Sequence, residues 1–220
     1  MGQNVEGQEE LRARQTISTA KPSKTVLEGT IGGVAEIDDV TRYRVYENDT
    51  NITDENTVPG HSICVVAEGG KDFDIANEIY LRKTPGCGTY GDIVVEIDSG
   101  VVHGMPRTVP IRFFRPGYKD IYITVLVKKL PGYVSKTTED IQEQLSGYLN
   151  SLQIGEDLTM SALWGAALRA MPDLTQPLFS ILDLSAGETE TAQNQTTEDM
   201  EVPFNCVTRS KPEYITVLFK

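Results

Sequence analysis

The sequence predicts an α+β protein made of two helix-plus-sheet, two-layer modules whose sheets are antiparallel or mixed. Three observations carry this. Apolar residues switch repeatedly between the alternation of a strand and the three-to-four spacing of a helix. Strand-like and helix-like segments are interleaved through both halves, and Arg115-Pro116-Gly117 punctuates the chain between them. A chain of 220 residues can bury one large core or two small ones. Residues 25–117 read as the first module and 118–220 as the second, after a linker or short helix over residues 1–24.

The elements follow in order. Residues 9–17 read as a short charged helix ended by Lys21-Pro22-Ser23-Lys24. Thr25 and Glu28 have the spacing of a capping box, with Leu27, Ile31 and Val34 behind them at helical spacing, although Gly29, Gly32 and Gly33 weaken the helix. Tyr43, Val45 and Glu47 alternate as a strand, and a polar run over residues 48–56 leads to Pro59-Gly60 and a second strand, 61–68. A helix over 71–83 is expected to bury Phe73, Ala76, Ile79 and Tyr80, with Asp72 and Asp74 favoured by the dipole at its start. Then comes Thr84-Pro85-Gly86-Cys87-Gly88-Thr89-Tyr90-Gly91-Asp92. Ile93, Val95 and Ile97 run into a hairpin-like turn at Asp98-Ser99-Gly100, and Val109, Ile111 and Phe113 return.

In the second module Ile121, Ile123, Val125 and Val127 form one face of a strand, and its other face is also apolar enough to suggest a central position. Thr137 with Asp140 is a candidate cap for a helix with the stripe Ile141, Leu145, Tyr148, Leu149 and Leu152. Thr159 is the candidate cap of the next, whose stripe is Met160, Leu163, Trp164, Ala167, Leu168 and Met171, and Pro172 stops it. Strands are expected near 178–184, 204–208 and 214–219. Between the first two lies a polar run, 187–201, that reads as a mobile loop. A weak internal repeat is visible. The Thr25 helix, a strand, a polar excursion, Val58-Pro59 and a strand are matched by the Thr159 helix, a strand, a longer excursion, Val202-Pro203 and a strand.

Charge and composition exclude several functions. The net charge is −12 and the isoelectric point about 4.6, which opposes binding to a phosphate backbone or an anionic membrane surface. No stretch approaches the roughly 20 apolar residues of a membrane span, and the first residues lack the basic and apolar segments of a signal peptide. The start reads as if it lies inside a longer protein. Cys64, Cys87 and Cys206 have no metal-like spacing and read as reduced thiols.

Candidate chemistry is sparse. His61 opens a strand and His103 lies at a hairpin tip, so both read as boundary or exposed residues. Cys87 lies between two glycines, but it follows the electronegative end of a helix, the wrong end for a thiolate or a phosphate. Gly86, Gly88 and Gly91 lead into a strand, which inverts the context of a dinucleotide loop, so neither a catalytic nor a cofactor-binding residue is expected. The loop over 48–56 lacks EF-hand spacing and reads as a solvated turn with no metal. Asn51-Ile52-Thr53 and Asn194-Gln195-Thr196 match the glycosylation pattern by chance. Pro85, Gly86, Gly88, Tyr90 and Gly91 read as a structural turn, in which Gly88 and Gly91 supply unusual backbone angles. Arg107, Arg112 and Arg115 surround a strand, where they could pair with a neighbouring subunit or make local ion pairs.

Several pieces occur together in order: Val40-Thr41-Arg42-Tyr43-Arg44-Val45-Tyr46-Glu47-Asn48-Asp49-Thr50, Pro59-Gly60-His61-Ser62-Ile63, Val65-Val66-Ala67-Glu68-Gly69-Gly70, Pro85-Gly86-Cys87-Gly88-Thr89-Tyr90-Gly91, and Ile111-Arg112-Phe113 with Arg115-Pro116. In order and spacing, over most of residues 9–185, the chain resembles the baseplate J-like family of contractile-tail phages and related particles. The resemblance implies a structural, non-catalytic wedge component around a central hub. Its partners would be other wedge and hub proteins, with self-association in the full assembly and no nucleic acid or membrane. It implies a location in the virion tail baseplate, with assembly in the host cytoplasm, and a chain covering the middle and C-terminal part of longer relatives. The competing class is a small-molecule or carbohydrate-binding module.

Overall fold

The structure, a computed structural model, describes residues 25–102 and 104–220. The helix expected over residues 9–17, the linker assigned to 1–24 and His103 lie outside them. The fold is α+β, and the chain divides between Pro116 and Gly117 into two compact units, each holding helices against a sheet.

In the first unit, α1 (Val26–Ala35) begins where the Thr25 hydroxyl oxygen accepts a hydrogen bond from the Glu28 N–H at 3.1 Å. That satisfies one of the donors left over at a helix start. The glycines that weakened this helix in sequence are buried, and a Cβ at Gly33 would collide with Glu78 and Arg82 of the next helix. At Gly33 the missing Cβ leaves room for those two side chains. β1 (Val40–Asn48) pairs antiparallel with β2 (Ser62–Gly69), and β3 (Gly88–Tyr90) runs parallel to the first residues of β2. Beyond β3, Phe114 takes over the same side of β2, its N–H donating to the Val65 carbonyl at 2.8 Å.

α2 (Asp72–Arg82) buries Ile75, Ala76 and Ile79, whereas Phe73, expected on the buried stripe, is 59 % exposed. A residue in the first turn can match the helical period and still overhang the sheet. β4 (Ile93–Val102) and β5 (Met105–Phe113) form one long hairpin. Asp98-Ser99-Gly100, expected as its turn, is instead an irregularity inside it, with Gly100 at φ 84° and its N–H bonded to the Asp98 carboxylate at 2.8 Å. The core gathers Ile63, Val65 and Ala67 of β2 with α2 and with Ile97, Ile111 and Phe113 of the hairpin.

In the second unit, β6 (Gly117–Asp120) pairs parallel with β9 (Cys206–Arg209), and β7 (Tyr122–Lys129) pairs parallel with β10 (Ile215–Phe219) and antiparallel with β8 (Phe179–Gly187). β7 is the central strand of its sheet. Its Ile123, Val125 and Val127 pack on Ile141, Leu145 and Leu149 of α3 (Ser135–Ser151) and on Leu163 of α4 (Met160–Leu168).

Both helices start differently from expectation. α3 begins after Val134, before Thr137, whose hydroxyl instead accepts from the Val134 N–H at 3.4 Å. At α4 the Thr159 side chain makes no capping bond, and the Asp199 carboxylate accepts from the Met160 N–H at 2.7 Å. Asp199 belongs to the run that reads as a mobile loop. That run is instead tied down, with Ala186 and Thr196 exchanging backbone bonds of 2.9 and 2.8 Å and Leu158 and Met200 exchanging two of 2.9 Å.

The repeat has a different form from the one expected. β1 and β2 are direct neighbours, whereas β8 and β9 belong to different sheets and have no ladder between them. What the units share is a central strand, β2 or β7, followed by a helix and flanked by one antiparallel and one parallel strand. In each, the antiparallel neighbour follows a helix, α1 before β1 and α4 before β8, and that segment precedes the central strand in the first unit and follows it in the second. Among the described residues no helix is long and apolar enough to cross a membrane.

Candidate functional site

The scattered motifs of the first unit converge on its joints. Lys83 closes α2, its N–H reaching the Ile79 carbonyl at 2.9 Å. Next, the Cys87 N–H bonds the Thr84 carbonyl at 3.1 Å with Gly86 at φ 84°. Proline then glycine at the two central positions is the type II turn pattern, which needs positive φ at its second central residue. The Lys83 ammonium caps the turn by donating to the Cys87 carbonyl at 2.9 Å.

Of the three glycines only Gly86 has positive φ. Gly88 and Gly91, expected to supply unusual angles, are small for another reason. A Cβ at Gly91 would collide with the backbone of Phe113, while one at Gly88 would meet the Ser62 hydroxyl at 2.6 Å, an atom that can rotate away. Tyr90 packs edge-on against Phe114, ring centroids 5.3 Å apart, and its hydroxyl bonds Thr57 at 3.0 Å. The turn therefore fastens α2, β2, β5 and the loop over residues 49–60.

Arg115 makes the second joint. All five of its N–H donors are engaged within the unit: the Ala67 carbonyl at 3.0 Å, the Gly69 carbonyl, the Gly70 carbonyl at 2.8 Å, and the Asp72 carboxylate at 3.1 and 2.5 Å. That is the whole hydrogen-bonding capacity of a guanidinium. Of the two roles open to it in sequence, local pairing accounts for the contacts present. Arg42 forks onto Glu68 at 2.6 and 2.8 Å at the other border of β2. Arg107 and Arg112 are exposed, and their side chains pair with no other described residue. Arg107 lines a cavity of about 510 Å³ with Tyr80, Lys83, Thr84 and Ser99.

His61 and Cys87 share a second cavity, of about 350 Å³. The imidazole Nε2 is held by the Asn51 amide oxygen at 2.7 Å, and the Cys87 thiol donates weakly to the Gly88 carbonyl at 3.4 Å. A base hydrogen-bonded to the thiol is one route to an activated nucleophile, and here the imidazole and the thiol have different partners. Cys64 is buried; burial, with the Asp54 carboxylate adding to it, pushes its thiol up to about 12. Burial also raises Cys206.

The run over 48–56, expected as a solvated turn, leaves residues 49–53 and 55 exposed and is anchored by the buried Asn48. The Asn48 amide donates to the carbonyls of Ile52 at 2.8 Å and Val58 at 2.7 Å, and the Asp54 carboxylate accepts from the Val58 N–H at 2.8 Å. Val58 is fully buried. Sequence reasoning missed Asn48 and Asp199; a hydrophobic valine in an otherwise polar run was the available signal for the first. Among the described residues no group of three or more His, Cys, Asp or Glu could hold a metal ion. Compared with models of protein families and with curated proteins, the chain matches none of them.

Proposed function

We propose that this chain is a structural component of a contractile-tail baseplate wedge, in a phage or a phage-like injection device, acting through protein–protein assembly and not through catalysis. The observation that carries the reading is the convergence of the family-like motifs on joints. Arg42 with Glu68, Arg115 with Gly69, Gly70 and Asp72, and the Thr84-to-Gly91 turn with Phe113 all serve rigidity. A rigid module transmits load between neighbours, which is the task of a wedge. Its partners are other wedge and hub proteins, with self-association in the complete assembly. Arg107 and Arg112 are available to a neighbouring subunit.

Co-expression with neighbouring tail genes and imaging of the particles tests this. Incorporation into a baseplate is expected, and failure to bind any tail component would sink the reading. The alternative, a small-molecule or carbohydrate-binding module, is favoured by the cavity beside Tyr80, Ser99 and Arg107. A glycan panel screened by thermal shift would raise the melting temperature in that case.

A further inference from the structure

We propose that the outer edge of β4 is a strand-addition site for a partner polypeptide that carries lysine or arginine at alternate positions. In β5, Pro106 lies opposite Val101 and Pro110 opposite Glu96. Proline has no N–H, so these are non-hydrogen-bonded pairs whose backbone groups point away from β4. The alternation of an antiparallel ladder turns Arg112 the same way, and its N–H does reach outward, to the Thr89 hydroxyl at 3.0 Å. The outer edge of β5 is thus blunted by prolines at one end and occupied by β3 and β2 at the other.

β4 has no such protection. Val94, Glu96 and Asp98, opposite Arg112, Pro110 and Thr108, must turn their N–H and C=O groups to the other side of the hairpin. There these backbone groups bond no other described residue. An unpaired row of this kind is a template for another strand. Gly100 has no neighbour within 4 Å of where a Cβ would stand, and Val101 and Met105 are each 69 % exposed, so the far half of the hairpin stands clear.

Charge selects the occupant. The side chains of Glu96 and Asp98 are exposed on one face, and cross-strand pairs favour opposite charges and penalise like ones. Pairing β4 with β4 of a second copy would set these carboxylates against each other. A basic strand from another protein matches both the edge and the charge. This inference does not depend on the tail reading.

The probe is the peptide acetyl-Lys-Thr-Lys-Val-Lys-Thr-Lys-amide, titrated into the isotope-labelled chain and followed by amide NMR. Shifts centred on residues 93–98 are expected, with binding at least about tenfold weaker for the counterpart with glutamate in place of lysine. The lysine peptide methylated on its lysine backbone nitrogens should not bind. Glu96→Pro places proline opposite Pro110, removes an outward N–H together with the Glu96 carboxylate, and should abolish binding while leaving the rest of the spectrum intact, whereas Glu96→Gln, which keeps the N–H, should only weaken it. If that variant does not fold, the methylated peptide still decides. Absence of shifts at 93–98, equal binding by the glutamate or methylated peptide, or unchanged binding by a folded Glu96→Pro would overturn the proposal. So would a concentration-dependent dimer that Glu96→Pro abolishes, since it would assign the edge to a second copy.

Discussion

The central strands of the two units have the same kinds of neighbour and different surroundings. In β2 both faces are closed: Ile63, Val65 and Ala67 meet the helices and the hairpin, and Cys64 and Val66 on the opposite face are also fully buried. In β7 only the face of Ile123, Val125 and Val127 is closed, and Tyr122, Thr124 and Leu126 are half-buried. The difference comes from where a polar excursion goes. The loop over 49–60 is anchored by Asn48 and the Thr57–Tyr90 bond, and its Asp54 carboxylate lies near enough to Cys64 to act on that thiol. The run over 187–201 crosses to the start of α4 and caps it through Asp199. Two polar segments with similar composition thus do different work, one closing a sheet and one starting a helix.

The largest test of this contrast is Gly91→Val. The new side chain meets the Phe113 backbone, so the first unit should lose more than about 3 kcal/mol, while Gly88→Val should cost clearly less. Trp164, the single tryptophan, lies in the second unit and reports that unit separately in a fluorescence-detected denaturation. If Gly91→Val and Gly88→Val cost the same, the close approach is not what requires glycine there.

Asn48→Ala should open the covered face of β2. The Ile52 and Val58 carbonyls keep the Thr50 hydroxyl and the Asp54 N–H as partners, so losing the Asn48 bonds costs about 1 kcal/mol, and Cys64 should become accessible to thiol reagents well before global unfolding. In the native protein that thiol is inert because it is buried and held protonated. Equal Cys64 labelling in both proteins would show that something other than the loop covers the face.

Arg115→Lys keeps the charge but loses the planar fork, and we expect a loss of about 1–2 kcal/mol. Arg107→Ala should leave stability unchanged, as measured by urea unfolding. In the second unit, Asp199→Ala removes the α4 cap and should cost about 1 kcal/mol, read by Trp164. The smallest effect is one of pH. The Arg209 guanidinium bonded to Asp120 holds its carboxyl below the usual range. A depressed carboxyl contributes stability above the ordinary carboxylate pKa of about 4 and loses it as pH falls through the lower native value. Arg209→Gln should therefore bring the Asp120 titration, followed by NMR, back up toward that ordinary value, with little change in stability because the pair is exposed.

Much of the second unit was legible because its signals are local. The stripes of α3 and α4 repeat over several turns, and β7 alternates without interruption. In the first unit Thr25 capped its helix as its spacing requires. Phe73, the Asp98-to-Gly100 irregularity and the role of Gly91 were not legible, since each depends on what lies across a gap in sequence: the sheet beneath α2, the register of β5, the backbone of Phe113. The site residues divide the same way. The Pro85-Gly86 turn follows from two adjacent residues, whereas the five-donor clamp of Arg115 depends on carbonyls more than forty positions away.

By itself the sequence determined the α+β class, most of the helices and strands, the acidic charge that disfavours nucleic acid, and a turn in place of a nucleotide loop at residues 84–92. These follow from short-range periodicity, backbone chemistry and summed charge, which need no tertiary partner. Only the tertiary structure decided which glycine is needed for its backbone angle and which for close approach, and which arginine is locked inside its unit. It also decided which polar run covers a sheet and which hairpin edge stays open. Those properties belong to pairs of surfaces brought together by folding, and neither member of a pair carries them alone.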